Sequence, residues 1–473
     1  MGSKGMTGQV KERLLPFLEF LSGGTEKGDS DASALRRVEF TAALGLCLSS
    51  AEFLCDAARS RRGAPHTLPA SRTVGLLVHG SRLAAAGALA SGRCRPASGA
   101  VCSGYLAVSD ALLQRAQPHG RDGADQLQML LMTALTLARA GRGDPGIDRW
   151  VLRFIAGQCA LAYASAGAAK AASATWREGR ALPGVLRTRS FGHRGAHRWA
   201  VRHPRATTWF ARGVIAAELA FPLALVTPRP VTRTLLATAK AFHLGTAAGM
   251  GLNRFSPAFF AAHHAVRRCA RNRGTGEKAT TAASRGTTVL RAMTAAGLTG
   301  WLALTLAAQH PRSPGTWQRR LDRYRVLIPD WRFYSPEPTV HDVHLLYRDR
   351  HADGTATPWR RGTRYASRRA RHGVWNPGNR LAKALADLAG RLGEPDSARL
   401  LLEFVVHGLP HAPDSVQTQF MVVTTAGYEE TEKMAVLGGL AWHALPNTRR
   451  PGTEYSGGIP AGDKEKPQNK EFS

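Results

Sequence analysis

Paired cysteines are missing from this 473-residue sequence. Its six cysteines, Cys47, Cys55, Cys94, Cys102, Cys159 and Cys269, form no CxxC pair, which argues against zinc ribbons and thioredoxin-type redox sites. Most sit in or beside apolar stretches, where a thiol behaves as a small hydrophobe. Acidic residues are scarce: 34 Asp and Glu face 64 Lys and Arg, a net charge of +30. A nucleic-acid partner is not expected from that excess, because no helix-turn-helix or zinc finger accompanies it. Attraction to anionic membrane lipid fits it better. The run RGTGEK at 273–278 lacks both the P-loop spacing and the strand that precedes a P-loop. The beginning, MGSKGMTGQVKERLLPFLEF, lacks the ordered zones of a cleavable signal peptide, so a first span is expected to serve as an uncleaved signal.

Apolar runs bounded by arginine clusters fill the sequence up to Ala308. Val38–Cys55 lies between Arg36-Arg37 and Arg59, Arg61 and Arg62, with a length near that of a membrane span. Thr73–Ser91, Trp150–Ala169, Thr208–Val226, Val231–Ala262 (with a break at 249–255) and Thr288–Ala308 are further candidates; Ala100–Leu113 and Leu127–Ala138 are shorter. This pattern predicts an all-α polytopic membrane helical bundle of about six to eight spans, followed by a small α+β extramembrane domain. A soluble Ala-rich helical protein is the alternative; the best spans lack the polar face it would need. The expected organisation is a mobile N-terminal arm at 1–36, a transmembrane domain at 37–308, an extramembrane α+β domain at 309–445 and a disordered tail at 446–473. Within the third part, ADG at 352–354 predicts a turn, 381–407 a helical region and Gln417–Thr425 a strand. The expected location is the cell membrane, multi-pass. If the basic 267–285 loop faces the cytoplasm, the C-terminal domain lies across the membrane.

Three stretches together resemble one family. QCALAYASAGAAKAASATWREGRAL (158–182) carries Lys170, Trp176 and Gly179; FHLGTAAGMGLNRFS (242–256) carries His243; IPDWRFYSPEPTVHDV (328–343) follows the last run. Their order is similar to the HTTM (horizontally transferred transmembrane) domain, the membrane module shared with vitamin K-dependent gamma-carboxylase, and to sporulation-delaying protein B-like bacterial membrane proteins. The resemblance covers roughly residues 35–350 and implies a bundle that binds reduced vitamin K or menaquinone and runs carboxylase- or epoxidase-like base chemistry. It implies catalytic roles for Lys170 as base, for His243 and, by a looser match, for His119. The chain departs from the animal carboxylases in lacking their long luminal extension, which leaves the carboxylated substrate open. The rival reading is a non-catalytic membrane protein for the production, export or immunity of a peptide toxin; a peptide is a candidate partner in both.

Chemistry gives each residue two readings. An ionisable group in a membrane helix costs about 2.5–3.5 kcal/mol on the milder scales and is a functional candidate for that reason. Lys170, at the end of an apolar run, would supply a neutral amine if desolvated, or snorkel to the headgroups. His243 would hydrogen-bond a quinone oxygen or a facing helix. Gln158, Tyr163, Trp176 and Asn253 are the expected substrate- or quinone-binding residues. Glu52 and Arg82 are a candidate buried pair. No metal site is expected: Asp122 and Asp125 have too few hard ligands nearby, and His263-His264 reads first as a solvated helix end.

Overall fold

The computed structural model describes residues 30–59, 72–117, 119–271, 285–310, 316–322, 326–363, 365, 368–429 and 434–446. Most of the expected arm and all but the first residue of the expected tail lie outside the described residues. Helix α1 (Asp31–Arg59) begins inside the stretch read as arm. It is followed by α2 (Arg72–Ala90), α3 (Pro96–Ala116), α4 (Gly123–Ala140) and α5 (Pro145–Ala172). Short helices α6 (Ala174–Arg177), α7 (Ala181–Arg187) and α8 (Arg194–Arg202) lead into α9 (Pro204–Ala220), α10 (Arg229–Met250), α11 (Phe255–Arg271) and α12 (Arg285–Ala308). Local chemistry sets the boundaries. Proline opens α3, α5 and α9, where a missing N–H is harmless. Asp122 and Asp125 form a capping box at the start of α4. Gly251, at φ 69°, closes α10 in the left-handed conformation and produces the break expected near 249–255.

The centre of the bundle is α4, α5 and α11, whose Leu127, Leu131, Val151, Ile155, Ala262 and Val266 are fully enclosed. Around them, α2, α9 and α12 turn apolar side chains such as Leu77, Leu219, Met293 and Leu306 outward. A large outward apolar surface suits lipid rather than water. Four helical segments are long and apolar enough to cross a membrane: Asp31–Ala58, Arg72–Ala90, Pro204–Leu225 and Gly286–Ala308. The run at 150–169 is a helix too, but one sheathed by protein on most sides.

Buried charge ties the two ends of the bundle. At one end Arg139 pairs with Glu39, Arg268 with Asp31 (2.7 Å) and Arg291 with Asp144 (2.8 Å). The pair expected between Glu52 and Arg82 does not form. Arg82 reaches from α2 to Asp110 of α3 at 2.7 Å, while Glu52 accepts instead from Asn253 Nδ2 (2.6 Å) and Asn376 N (2.7 Å).

After α13 (Thr316–Leu321) comes an antiparallel sheet in the order β2-β1-β3-β4, with β5 also against β3. Its strands are β1 (Asp342–His351), β2 (Arg360–Arg361), β3 (Ser415–Thr425), β4 (Ala435–Gly439) and β5 (His443–Ala444). The turn after β1 covers 352–354 and β3 covers the expected strand. Helices α14 (Asn379–Ala389) and α15 (Pro395–Gly408) bury Leu385, Leu388, Phe404 and Val405 against Leu345, Tyr347 and Phe420 of the sheet. This α+β part docks on the other end of the bundle. Arg254 binds Asp122 (2.7 Å) and Asp125 (3.2 Å), Arg380 reaches the same Asp125, and Gly378 N donates to Asp56 (3.0 Å).

Candidate functional site

Lys170 stands in the last turn of α5, but its amine does not snorkel. The residue is 3% exposed, and Nζ donates to both carboxylate oxygens of Glu218 on α9, at 2.9 and 2.8 Å. The Trp176 ring lies 5.2 Å from Nζ, at cation–π distance. Two helices meet here because Gly167 has no side chain: a Cβ at that position would stand 2.9 Å from Leu219 N. Glu218 continues an inward stripe on α9 formed by Thr207, Ala211 and Ile215. That spacing was the signal in the sequence that could have assigned Glu218 a facing partner.

Seven residues, or two turns, before Lys170 on the same face lies Tyr163. Its hydroxyl meets His243 Nε2 at 2.8 Å and His263 Nε2 at 3.0 Å. Phe259 stacks on His243 at 4.3 Å and Phe221 on Tyr163 at 3.9 Å. The expected solvated helix end at His263-His264 is corrected: both are buried, because α11 extends past them to Arg271 against α1 and α5. One hydroxyl carries one proton, so with both imidazoles neutral the two rings hold opposite tautomers: one accepts from Tyr163 and the other donates to it. His243 Nδ1 and His263 Nδ1 are buried with no hydrogen-bond partner.

Gln158, five residues nearer the start of α5, donates to Thr305 Oγ1 (3.2 Å) and accepts from Trp331 Nε1 (3.2 Å). Trp331 is fully buried and anchors the 328–337 segment in the bundle. That segment also holds the turn after α5: Trp176 Nε1 donates to Tyr334 O (3.0 Å), and Thr175 Oγ1 donates to Glu337 (2.9 Å). The stretches at 158–182, 242–256 and 328–343 are thus joined by direct hydrogen bonds. Asn253, near the end of the second stretch, takes no part in these bonds. It sits at the docked end, where its Nδ2 bridges Glu52 and Val374 O (2.9 Å).

His119 lies at the docked end as well, in a chamber of about 550 Å³ between the bundle and the α+β part. Leu252, Phe255 and Phe333 give the chamber apolar wall, and Arg121, Asp122, Lys383 and Asp387 give it charge from both the bundle and the α+β part. Burial holds the His119 imidazole below the ordinary histidine value, so it is neutral near pH 7 and able to accept a proton. Neither Lys170 nor His243 lines this chamber.

A reduced naphthoquinone held by Lys170 and His243 together does not fit these residues. Nζ is already engaged by Glu218 and Trp176, and α5 and α9 touch at Gly167 between the two groups. Among the described residues no cluster of three His, Cys, Asp or Glu could hold a metal ion. Compared with protein-family models, with curated proteins and with solved structures, the chain matches none of them.

Proposed function

We propose that this chain is a multi-pass membrane protein that admits an amphipathic small molecule, or part of a peptide, into the chamber beneath its docked domain and removes a proton from it, with His119 as the base. The carrying observation is the chamber itself, lined by both apolar and charged side chains and of a size that suits a small ligand. His119 is the one of the three candidate catalytic residues that reaches it. In this reading the Lys170–Glu218 pair is a closed ion pair that holds α5 against α9. The non-catalytic reading, handling of a peptide toxin, is favoured by that same closure, since a lysine held by both oxygens of a glutamate is what a packing role requires.

The test presents the purified full chain, in detergent and deuterated water, with a panel of amphipathic carbon acids that includes reduced menaquinone, comparing wild type, His119→Ala and Lys170→Ala. Exchange of deuterium into a carbon acid of the panel by wild type and Lys170→Ala, reduced at least tenfold in His119→Ala, is the expected result. Loss only in Lys170→Ala would move the base from the chamber to α5. Wild type that deprotonates none of the panel would leave the non-catalytic reading standing.

A further inference from the structure

Helix α8 and the first two turns of α9 carry a surface that neither the chamber nor the buried networks use. Helix α8 seats His197 and Ala200 inward, against α7 and α9. On its exposed surface Arg194, Arg198 and Arg202 recur every fourth residue, which places three guanidiniums in one stripe. Trp199 and Val201, 50% and 55% exposed, flank that stripe. In α9, Trp209 and Phe210 are 70% and 57% exposed. They stand about 8 Å along the axis from the start of that helix. Among the described residues, none of the three arginines is paired with a carboxylate.

We propose that this surface is an interfacial anchor that selects anionic phospholipid, the guanidiniums binding headgroup phosphates and the indoles lying at the level of the glycerol backbone. Two observations choose lipid as the occupant. Pro204–Leu225 is one of the four segments apolar and long enough to span, so Trp209 and Phe210 fall at the beginning of a span, where aromatic belts lie. The α8 stripe precedes it directly and is basic with apolar flanks, the composition of a helix lying in the membrane surface. A guanidinium forms paired hydrogen bonds with phosphate oxygens, which zwitterionic lipid also offers, but only anionic lipid leaves the net charge uncompensated. The inference rests on α9 crossing the bilayer and is independent of the reaction at His119.

The purified full chain is presented with equal phosphatidylglycerol and phosphatidylcholine, and retained lipid is read by native mass spectrometry. Wild type retains phosphatidylglycerol preferentially. Arg194→Gln/Arg198→Gln/Arg202→Gln lowers that preference by roughly fivefold for each charge removed, about 1 kcal/mol apiece. The corresponding triple lysine variant keeps most of it, which separates lost charge from lost folding. Inorganic phosphate does not displace the lipid. In nanodiscs of lipid brominated near the headgroup, Trp199→Phe/Trp209→Phe loses a large part of the tryptophan quenching seen in wild type. Equal retention of the two lipids by wild type, displacement by free phosphate, or unchanged quenching in the tryptophan variant would each overturn the anchor.

Discussion

Lys170 and Glu218 both give up water on entering the junction of α5 and α9, and each is tolerable there only because of the other. Removing one partner leaves an uncompensated buried charge. Lys170→Ala is therefore expected to cost about 3–5 kcal/mol, read as a lower thermal midpoint in detergent. Lys170→Met with Glu218→Leu replaces both charges by apolar bulk and is expected to recover that loss, or exceed wild type by about 1–4 kcal/mol. A single variant as stable as wild type would mean that the pair is hydrated. At this scale the sequence marked Lys170, His243, Tyr163 and Gln158 as polar groups in apolar runs, and all four are buried. It left Glu218 unpaired and placed His263 at a solvated end, because one sequence shows which face of a helix a residue occupies but not which helix stands opposite.

Helix contacts depend on how closely two axes approach, and glycine decides that at a few points. Gly167 on α5 and Gly213 on α9 look alike in sequence, yet a Cβ at 167 meets the α9 backbone while one at 213 meets nothing within 4 Å. Gly167→Ala is expected to push the helices apart at a cost of about 1–3 kcal/mol. Gly213→Ala, on the outward face, is expected to raise stability by about 0.5–1 kcal/mol through its better helix propensity. Equal midpoints for the two variants would show that α5 and α9 do not touch there. Element existence was legible: the break after Met250, the turn at 352–354 and the strand ending at Thr425 all follow from glycine placement and hydrophobic period. Membrane crossing was less so. Alanine is nearly neutral toward lipid, so α4 and α5 look alike as spans or as core, and enclosure by neighbours separates the two.

Across the whole molecule, the docked α+β part is where pH should act. Burial lowers the pKa of His344, His372 and His443, and of His119 at the docking seam. A depressed imidazole pKa means that the folded state binds fewer protons than the unfolded chain below about pH 6.5. The stability these residues contribute is complete above that value and is lost as pH falls through their folded-state pKa values. The protection of β1 and β3 amides, after correction for the intrinsic pH dependence of exchange, is expected to fall between about pH 7 and pH 5, and His344→Asn to flatten the response. Protection that rises on acidification would reverse the assigned sign.

Hydrophobic period, proline and glycine placement and the boundary at Ala308 determined, from the sequence by itself, a helical first part rich in apolar runs and a mixed second part. Those signals are local, written within a few turns of chain. Tertiary structure alone decided that Lys170 faces Glu218, that two histidines share the Tyr163 hydroxyl and that His119 occupies a different compartment from both. Each of these joins residues tens to hundreds of positions apart, and such pairings are set by which helix faces pack together, a choice that no local pattern encodes.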